Sequence, residues 1–203
     1  MTKTFGCTLL FLEENRLKMK ALFLFFVSIS LTFSAFSQVA LGDKAPAFTA
    51  TTDEGSTWKL SDYKGKKNVV VYFYPAAMTG GCTKQACAYR DAQPAIESAN
   101  AVVVGISGDN IEGLKLFKKA ENLNFTLLSD EKGEIAKSFG VPVKDGGKIT
   151  REIEGKSYDL VRGATASRWT FIIDKKVNIV YKNEQVDAAK DAEAVLAFLK
   201  NSK

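Results

Sequence analysis

Two short runs constrain this chain more than any other feature: "NVVVYFYP" at 68–75 and "AVVVGIS" at 101–107. Each is continuously β-branched, aromatic or small, and the first is closed by a proline. A strand with one wet face alternates polar and apolar residues. A continuous run of this length fits a strand buried on both faces, so the sheet it belongs to must be covered. Between the two runs, residues 82–98 read as a helix, with Ala86, Tyr89, Ala95 and Ile96 as inward positions.

The rest of the chain supplies that cover. "NIEGLKLFKKAENL" sets Ile111, Leu114, Phe117 and Lys118 at helical spacing, "FTLLSD" is a third strand, and "EKGEIAKSFGV" is a short helix stopped at Gly140. "RWTFIID" and "VNIVYKN" read as two strands joined at Asp174-Lys175-Lys176. A final helix has Asp187 as its expected N-cap and Ala192, Val195, Leu196 and Leu199 on one face. Ahead of the first run, "AFTATTDEGSTWKL" alternates on either side of Asp53-Glu54-Gly55, a hairpin signal. "KDGGKITREIEGKSYDLVRG" is polar and glycine-rich and reads as a loop or irregular hairpin. The order predicts an α/β domain over residues 38–203: a mixed central sheet flanked by helices, with an N-terminal β-hairpin.

Residues 1–37 read as a signal segment. Met19-Lys20 precedes "ALFLFFVSISLTFSA", an apolar run of 15 residues ending in small ones. A membrane-spanning helix needs about 20 apolar residues. A basic start, a short apolar middle and the small-residue site Ala35-Phe36-Ser37 predict secretory export, with cleavage after Ser37. The expected destination is the periplasm or the exterior, with no stable membrane insertion of the mature protein. Translation is expected to begin at Met19, with residues 1–18 an upstream extension. Cys7 would then be absent from the mature chain, leaving Cys82 and Cys87 in a compartment that permits disulfides. The formal charge is +5, dispersed and partly within the signal segment, which does not argue for nucleic acid.

The chain has no histidine. That removes Ser-His-Asp and Cys-His devices, and two cysteines alone cannot close a Cys/His zinc site. No phosphate-cradling glycine motif occurs, and no cofactor is expected. What remains is Cys82-x4-Cys87. On an ideal helix five residues rise about 7.5 Å and turn through about 500°, which leaves the Cα atoms roughly 8–9 Å apart. A disulfide needs them within about 7 Å. The pair therefore cannot bond within an intact helix, and bonding would require unwinding. A reversible pair tolerates two states of the segment; a permanent staple does not. Cys82 follows a buried strand and Gly80-Gly81, so it falls in the first turn of the helix, where unpaired N–H groups favour a thiolate. A permanent cation such as arginine would help to hold it.

"YFYPAAMTGGCTKQACAYRD" resembles the active-site segment of peroxiredoxins, whose P-x-x-x-T-x-x-C core is matched by Pro75, Thr79 and Cys82. The second cysteine five residues on is similar to the Q-type, bacterioferritin-comigratory subgroup. "LGDKAPAFTATTDEGSTWKLSDYKGKKNVVVYFYP", "VVVGISGDN", "FKKAENLNFTLLSD" and "SRWTFIID" follow in that family's order. The resemblance implies a thioredoxin-like fold and a thiol peroxidase acting on hydrogen peroxide and organic hydroperoxides. Cys82 would be the peroxidatic cysteine and Cys87 the resolving one, closing a Cys82–Cys87 disulfide that a thioredoxin-type reductant reopens. Thr79 would hydrogen-bond the peroxide, although its position also suits a helix N-cap. Pro75 would shield the sulfenic acid, and Arg168 would hold the thiolate and polarise the peroxide. The subgroup implies a monomer.

Three features depart from the family's usual pattern. Gly80 stands where proline is common, Gln85 stands where many members have glutamate, and the polar segment 144–157 is long. Arg90 and Asp91 read as a local ion pair. The alternative function is an exported thioredoxin-like thiol–disulfide carrier without peroxidase activity. Carriers favour C-x-x-C at the helix start, whereas C-x4-C with Thr79 and Arg168 favours the peroxidase.

Overall fold

The computed structural model describes residues 38–202. The predicted signal segment, its cleavage after Ser37, the start at Met19 and Cys7 lie outside the described residues.

The two apolar runs form adjacent parallel strands, β3 (Asn68–Phe73) and β4 (Ala101–Ser107), at the centre of a seven-stranded mixed sheet. β5 (Thr126–Ser129) pairs parallel to β4. The hairpin of β1 (Thr49–Thr52) and β2 (Thr57–Lys59) closes one edge, with β1 antiparallel to β5. On the other side of β3, the antiparallel pair β8 (Trp169–Ile173) and β9 (Ile179–Asn183) completes the sheet.

Alternate residues of β3 serve opposite faces, as strand pleating requires. Val69, Val71 and Phe73 pack with Trp58, Leu60, Phe139, Phe171 and Ile173 on one side. Val70, Tyr72 and Tyr74 pack on the other, under α1 (Gly80–Ser98), α2 (Ile111–Glu121) and α4 (Asp191–Asn201). The short α3 (Glu134–Ser138) covers the first side through Ala136. This is the mixed sheet flanked by helices, with its N-terminal hairpin, that the order of elements implies.

Three local expectations are corrected. Ala95 is exposed, because Pro94 and Ala95 fall on the wet side of α1 while Ile96 is buried. Asp187 does not cap the last helix. It accepts from the Ala189 N–H at 3.0 Å in a preceding turn, and α4 begins four residues later at Asp191. The polar segment is neither loop nor irregular. β6 (Val143–Ile153) and β7 (Lys156–Ala166) form a long hairpin, joined by Glu154-Gly155 with φ of 50° and 75°. Both turn residues at positive φ give the two-residue turn that matches strand twist. The hairpin's alternation is faint because β6 buries none of its residues and β7 buries only Leu160, Ala164 and Ala166, two of them small.

Candidate active site

The chain leaves β3 at Phe73 and enters α1 at Gly80 through a tightly held loop. Asp109, wholly buried, accepts from the Ala77 N–H and the Ser107 hydroxyl, each at 2.8 Å. Burial pushes this carboxyl up; the Ala77 and Ser107 bonds and Arg162 oppose the shift. From β6, Arg151 Nε donates to the Met78 carbonyl at 3.0 Å. Met78 itself sits at φ 57°. Thr79 is extended at φ −103°, ψ 148°, the N-cap conformation, yet its side chain makes no cap bond. Its hydroxyl donates to the Ala76 carbonyl at 2.9 Å instead. Pro75 lies half-buried at the start of the loop.

Cys82 is the third residue of α1 and only 2% exposed. Its position in the first turn sets it among N–H groups without intrahelical acceptors. Arg168, just ahead of β8, brings Nη2 to 3.3 Å from Cys82 Sγ and donates from Nη1 to Gln85 Oε1. Gln85, fully buried, donates from Nε2 to Asp191 Oδ2 at 2.7 Å. The Tyr89 and Thr170 hydroxyls donate to the same oxygen, each also at 2.7 Å. A continuous polar chain thus runs from the sulfur through Arg168 and Gln85 to a buried carboxylate.

Cys87 lies on the same helix but contacts a different neighbourhood. Its thiol donates to Glu121 Oε2 at 3.6 Å, at the end of α2. Burial pushes the thiol up, Arg90 opposes this, and Glu121 adds to it. Both cysteines are free. Arg90 pairs with Asp91 at 2.9 Å, as expected, and also donates to the Glu121 carbonyl.

A buried cysteine in a first helical turn, touched by a guanidinium and preceded by a proline and a threonine, is a thiol site. Among the described residues no cluster of metal-type ligands accompanies it. The AhpC/TSA family profile matches residues 41–182. The chain is a peroxiredoxin of that family. Relatives of this peroxiredoxin include the chloroplastic peroxiredoxin Q of Populus jackii, 42% identical over 86% of this chain and 74% of that protein. The corresponding protein of Sedum lineare is 43% identical over 84% of this chain and 83% of its own length. Among solved structures, peroxidoxin BcpB of Mycobacterium tuberculosis matches with a TM-score of 0.67 at 32% identity, covering 80% of this chain and 97% of that one. A cysteine-to-serine mutant of Xylella fastidiosa PrxQ gives 0.68 at 26% identity, covering 82% and 98%. This peroxiredoxin therefore has the thioredoxin-like fold of its relatives and is a thiol peroxidase, an oxidoreductase.

Of the residues singled out in the sequence, the fold joins Cys82 and Arg168 directly and sets Thr79 and Pro75 in the adjoining loop. Among the described residues no hydrogen bond links Thr79 to Cys82. Nothing in the sequence singles out Asp191, Asp109, Arg151 or Glu121. Each is an ordinary charged residue in a polar stretch, and only long-range packing gives it a partner.

Proposed function

We propose that this peroxiredoxin reduces hydroperoxides with Cys82 as the attacking group. The Cys82 thiolate strikes the terminal oxygen of the hydroperoxide and the O–O bond breaks. The departing oxygen leaves as alcohol or water after taking a proton, and Cys82 becomes a sulfenic acid. The Cys87 thiol then condenses with it, forming the Cys82–Cys87 disulfide and releasing water. A thioredoxin-type dithiol reduces the bridge by exchange.

The observation that carries this reading is the 3.3 Å approach of Arg168 Nη2 to Cys82 Sγ in the first turn of α1. A guanidinium there favours negative charge on sulfur, and its remaining N–H groups suit the peroxide oxygens. The Thr79 hydroxyl gives its proton to Ala76 and so keeps its lone pairs for the peroxide's hydrogen. Pro75, at the mouth of the loop, limits water at the sulfenic acid. Cys87, whose thiol burial keeps protonated, is a weak first target and leaves the initial oxidation to Cys82. The peroxidase acts after export, as a monomer; the signal features of residues 1–37 support the first point and the subgroup the second.

Peroxide consumption by Cys82→Ser, Cys87→Ser and Arg168→Met variants tests the assignment. Cys82→Ser abolishes turnover, Arg168→Met slows the oxidation step, and Cys87→Ser completes one turnover and then stalls without an added thiol. Peroxide turnover surviving in Cys82→Ser would refute the reading.

A further inference from the structure

We propose that Asp191 is a positioning residue of the peroxidatic site. Acting through Gln85, it fixes the Arg168 guanidinium against Cys82 and supplies, from the start of α4, the carboxylate that position 85 lacks. The inference rests on the assignment of Cys82 and Arg168 given above.

The chemistry of the partners fixes the direction of the relay. A carboxylate only accepts hydrogen bonds, so the end of the Gln85 amide facing Asp191 Oδ2 at 2.7 Å is the NH2 group. The carbonyl oxygen of that amide is thereby turned to Arg168, which only donates. With one guanidinium nitrogen held in this way, the other is left at 3.3 Å from the sulfur. Without Asp191, the amide can flip and present its NH2 group to the guanidinium, which repels it.

Several features mark Asp191 as an acceptor. It opens α4, where the helix N-terminus favours an anion. Three donors converge on Oδ2. Oδ1, by contrast, is buried with no partner among the described residues. A carboxylate that is 2% exposed with one oxygen unpaired is costly, and packing alone would be served better by an apolar residue. The tyrosines around the cluster do not compete as charges. Burial pushes Tyr72, Tyr74, Tyr89 and Tyr181 up, with Asp191 adding to the effect at Tyr72, Tyr89 and Tyr181.

A merely structural Asp191 would tie α4 to α1 and β8 without influencing the sulfur, so the test reads the sulfur. The rate of single-turnover oxidation of the reduced protein by hydrogen peroxide is followed against pH for Asp191→Asn, Gln85→Met, Gln85→Glu/Asp191→Asn and Arg168→Met. Asp191→Asn and Gln85→Met each slow oxidation by about tenfold or more, the scale of a misplaced catalytic group, and move the acid limb of the profile to higher pH. Gln85→Glu/Asp191→Asn recovers most of the rate, because the carboxylate introduced on α1 faces Arg168 directly and the amide introduced on α4 donates to that carboxylate. A wild-type rate and acid limb in Asp191→Asn or Gln85→Met overturns the proposal. So does a loss in Asp191→Asn that the double variant fails to recover. Should Asp191→Asn not fold, Gln85→Met cuts the relay at its middle and decides the matter. Arg168→Met separates the two levels: if it keeps the wild-type profile, the role of Arg168 itself fails. If it slows oxidation while the relay variants do not, only Asp191 is excluded.

Discussion

Cys82 and Cys87 lie five residues apart on one unbroken helix, the first buried and the second half-buried against Glu121. Helical geometry keeps their Cα atoms beyond disulfide reach. Closing a bridge between them must break the first turns of α1, including the Thr83 N–H bond to the Thr79 carbonyl at 2.8 Å. The sheet has no reason to move. Amides across residues 80–88 are expected to exchange faster in the oxidised protein than in the reduced one, with β3 and β4 equally protected in both. Hydrogen exchange by mass spectrometry checks this, and equal protection of residues 80–88 in the two forms would exclude unwinding.

Gly80 gives a second handle on the same transition. A Cβ built there meets nothing within 4 Å, and Gly80 is the first residue of α1, the position proline tolerates best. Thr79 before it is already extended, as a residue preceding proline should be. Gly80→Pro should stabilise the reduced protein by about 0.4–1 kcal/mol through the unfolded state. For a chain of this size that raises Tm by about 1–4 °C. Calorimetry of the reduced form checks it; an unchanged or lower Tm would mean that the loop entering α1 is strained by the ring. Gly81 is different, because a Cβ there comes within 3.3 Å of Arg168 Nη2.

How far the sequence alone reaches is clear from particular residues. The buried strands, the helix between them and Cys82 in its first turn are all legible, because periodicity and a cysteine motif are local signals. Arg168 is reachable only through family resemblance, since it lies 86 residues from Cys82. Gln85 is visible as a departure, but its meaning is not. The carboxylate behind it, Asp191, is 106 residues away in "VDAAKDAEA", where nothing marks it as buried. The regularity of the β6–β7 hairpin is hidden for a related reason: its strands alternate weakly, and the Glu154-Gly155 turn is the one cue to it.

That hairpin reaches the active-site loop. Arg151 Nε holds the carbonyl of Met78, a non-glycine residue at φ 57°, in the segment that would have to loosen for a Cys82–Cys87 bridge to close. A guanidinium bond to a carbonyl is worth about 1.5–3 kcal/mol when buried, and less here because Arg151 is half-exposed. Arg151→Ala should therefore speed closure of the Cys82–Cys87 bridge by about 2–10-fold, while leaving the preceding oxidation of Cys82 nearly unchanged. Rapid quench with alkylation, read by non-reducing mass spectrometry, separates the two steps. A closure rate equal to wild type would show that the clamp is not part of the opening.

The protonation of Cys87 is set by three neighbouring influences. Burial is the main reason its thiol is pushed up, Arg90 pulls it back, and the Glu121 carboxylate raises it further by charge and by accepting the S–H bond. In the raised direction the folded protein favours the protonated thiol. That contribution to stability is present below the thiol's unfolded value and is lost as pH rises through the folded one. Removing the carboxylate should lower the pH at which Cys87 ionises, and removing the guanidinium should raise it. In a Cys82→Ser background, with alkylation read on the Cys87 peptide, the iodoacetamide profile should move to lower pH in Glu121→Gln and to higher pH in Arg90→Ala. The early thiolate of Glu121→Gln would make Cys87 a competing target for peroxide, detectable as sulfenic acid on Cys87. Coincident alkylation profiles for Glu121→Gln and its parent would mean that the 3.6 Å contact exerts no control over the thiol.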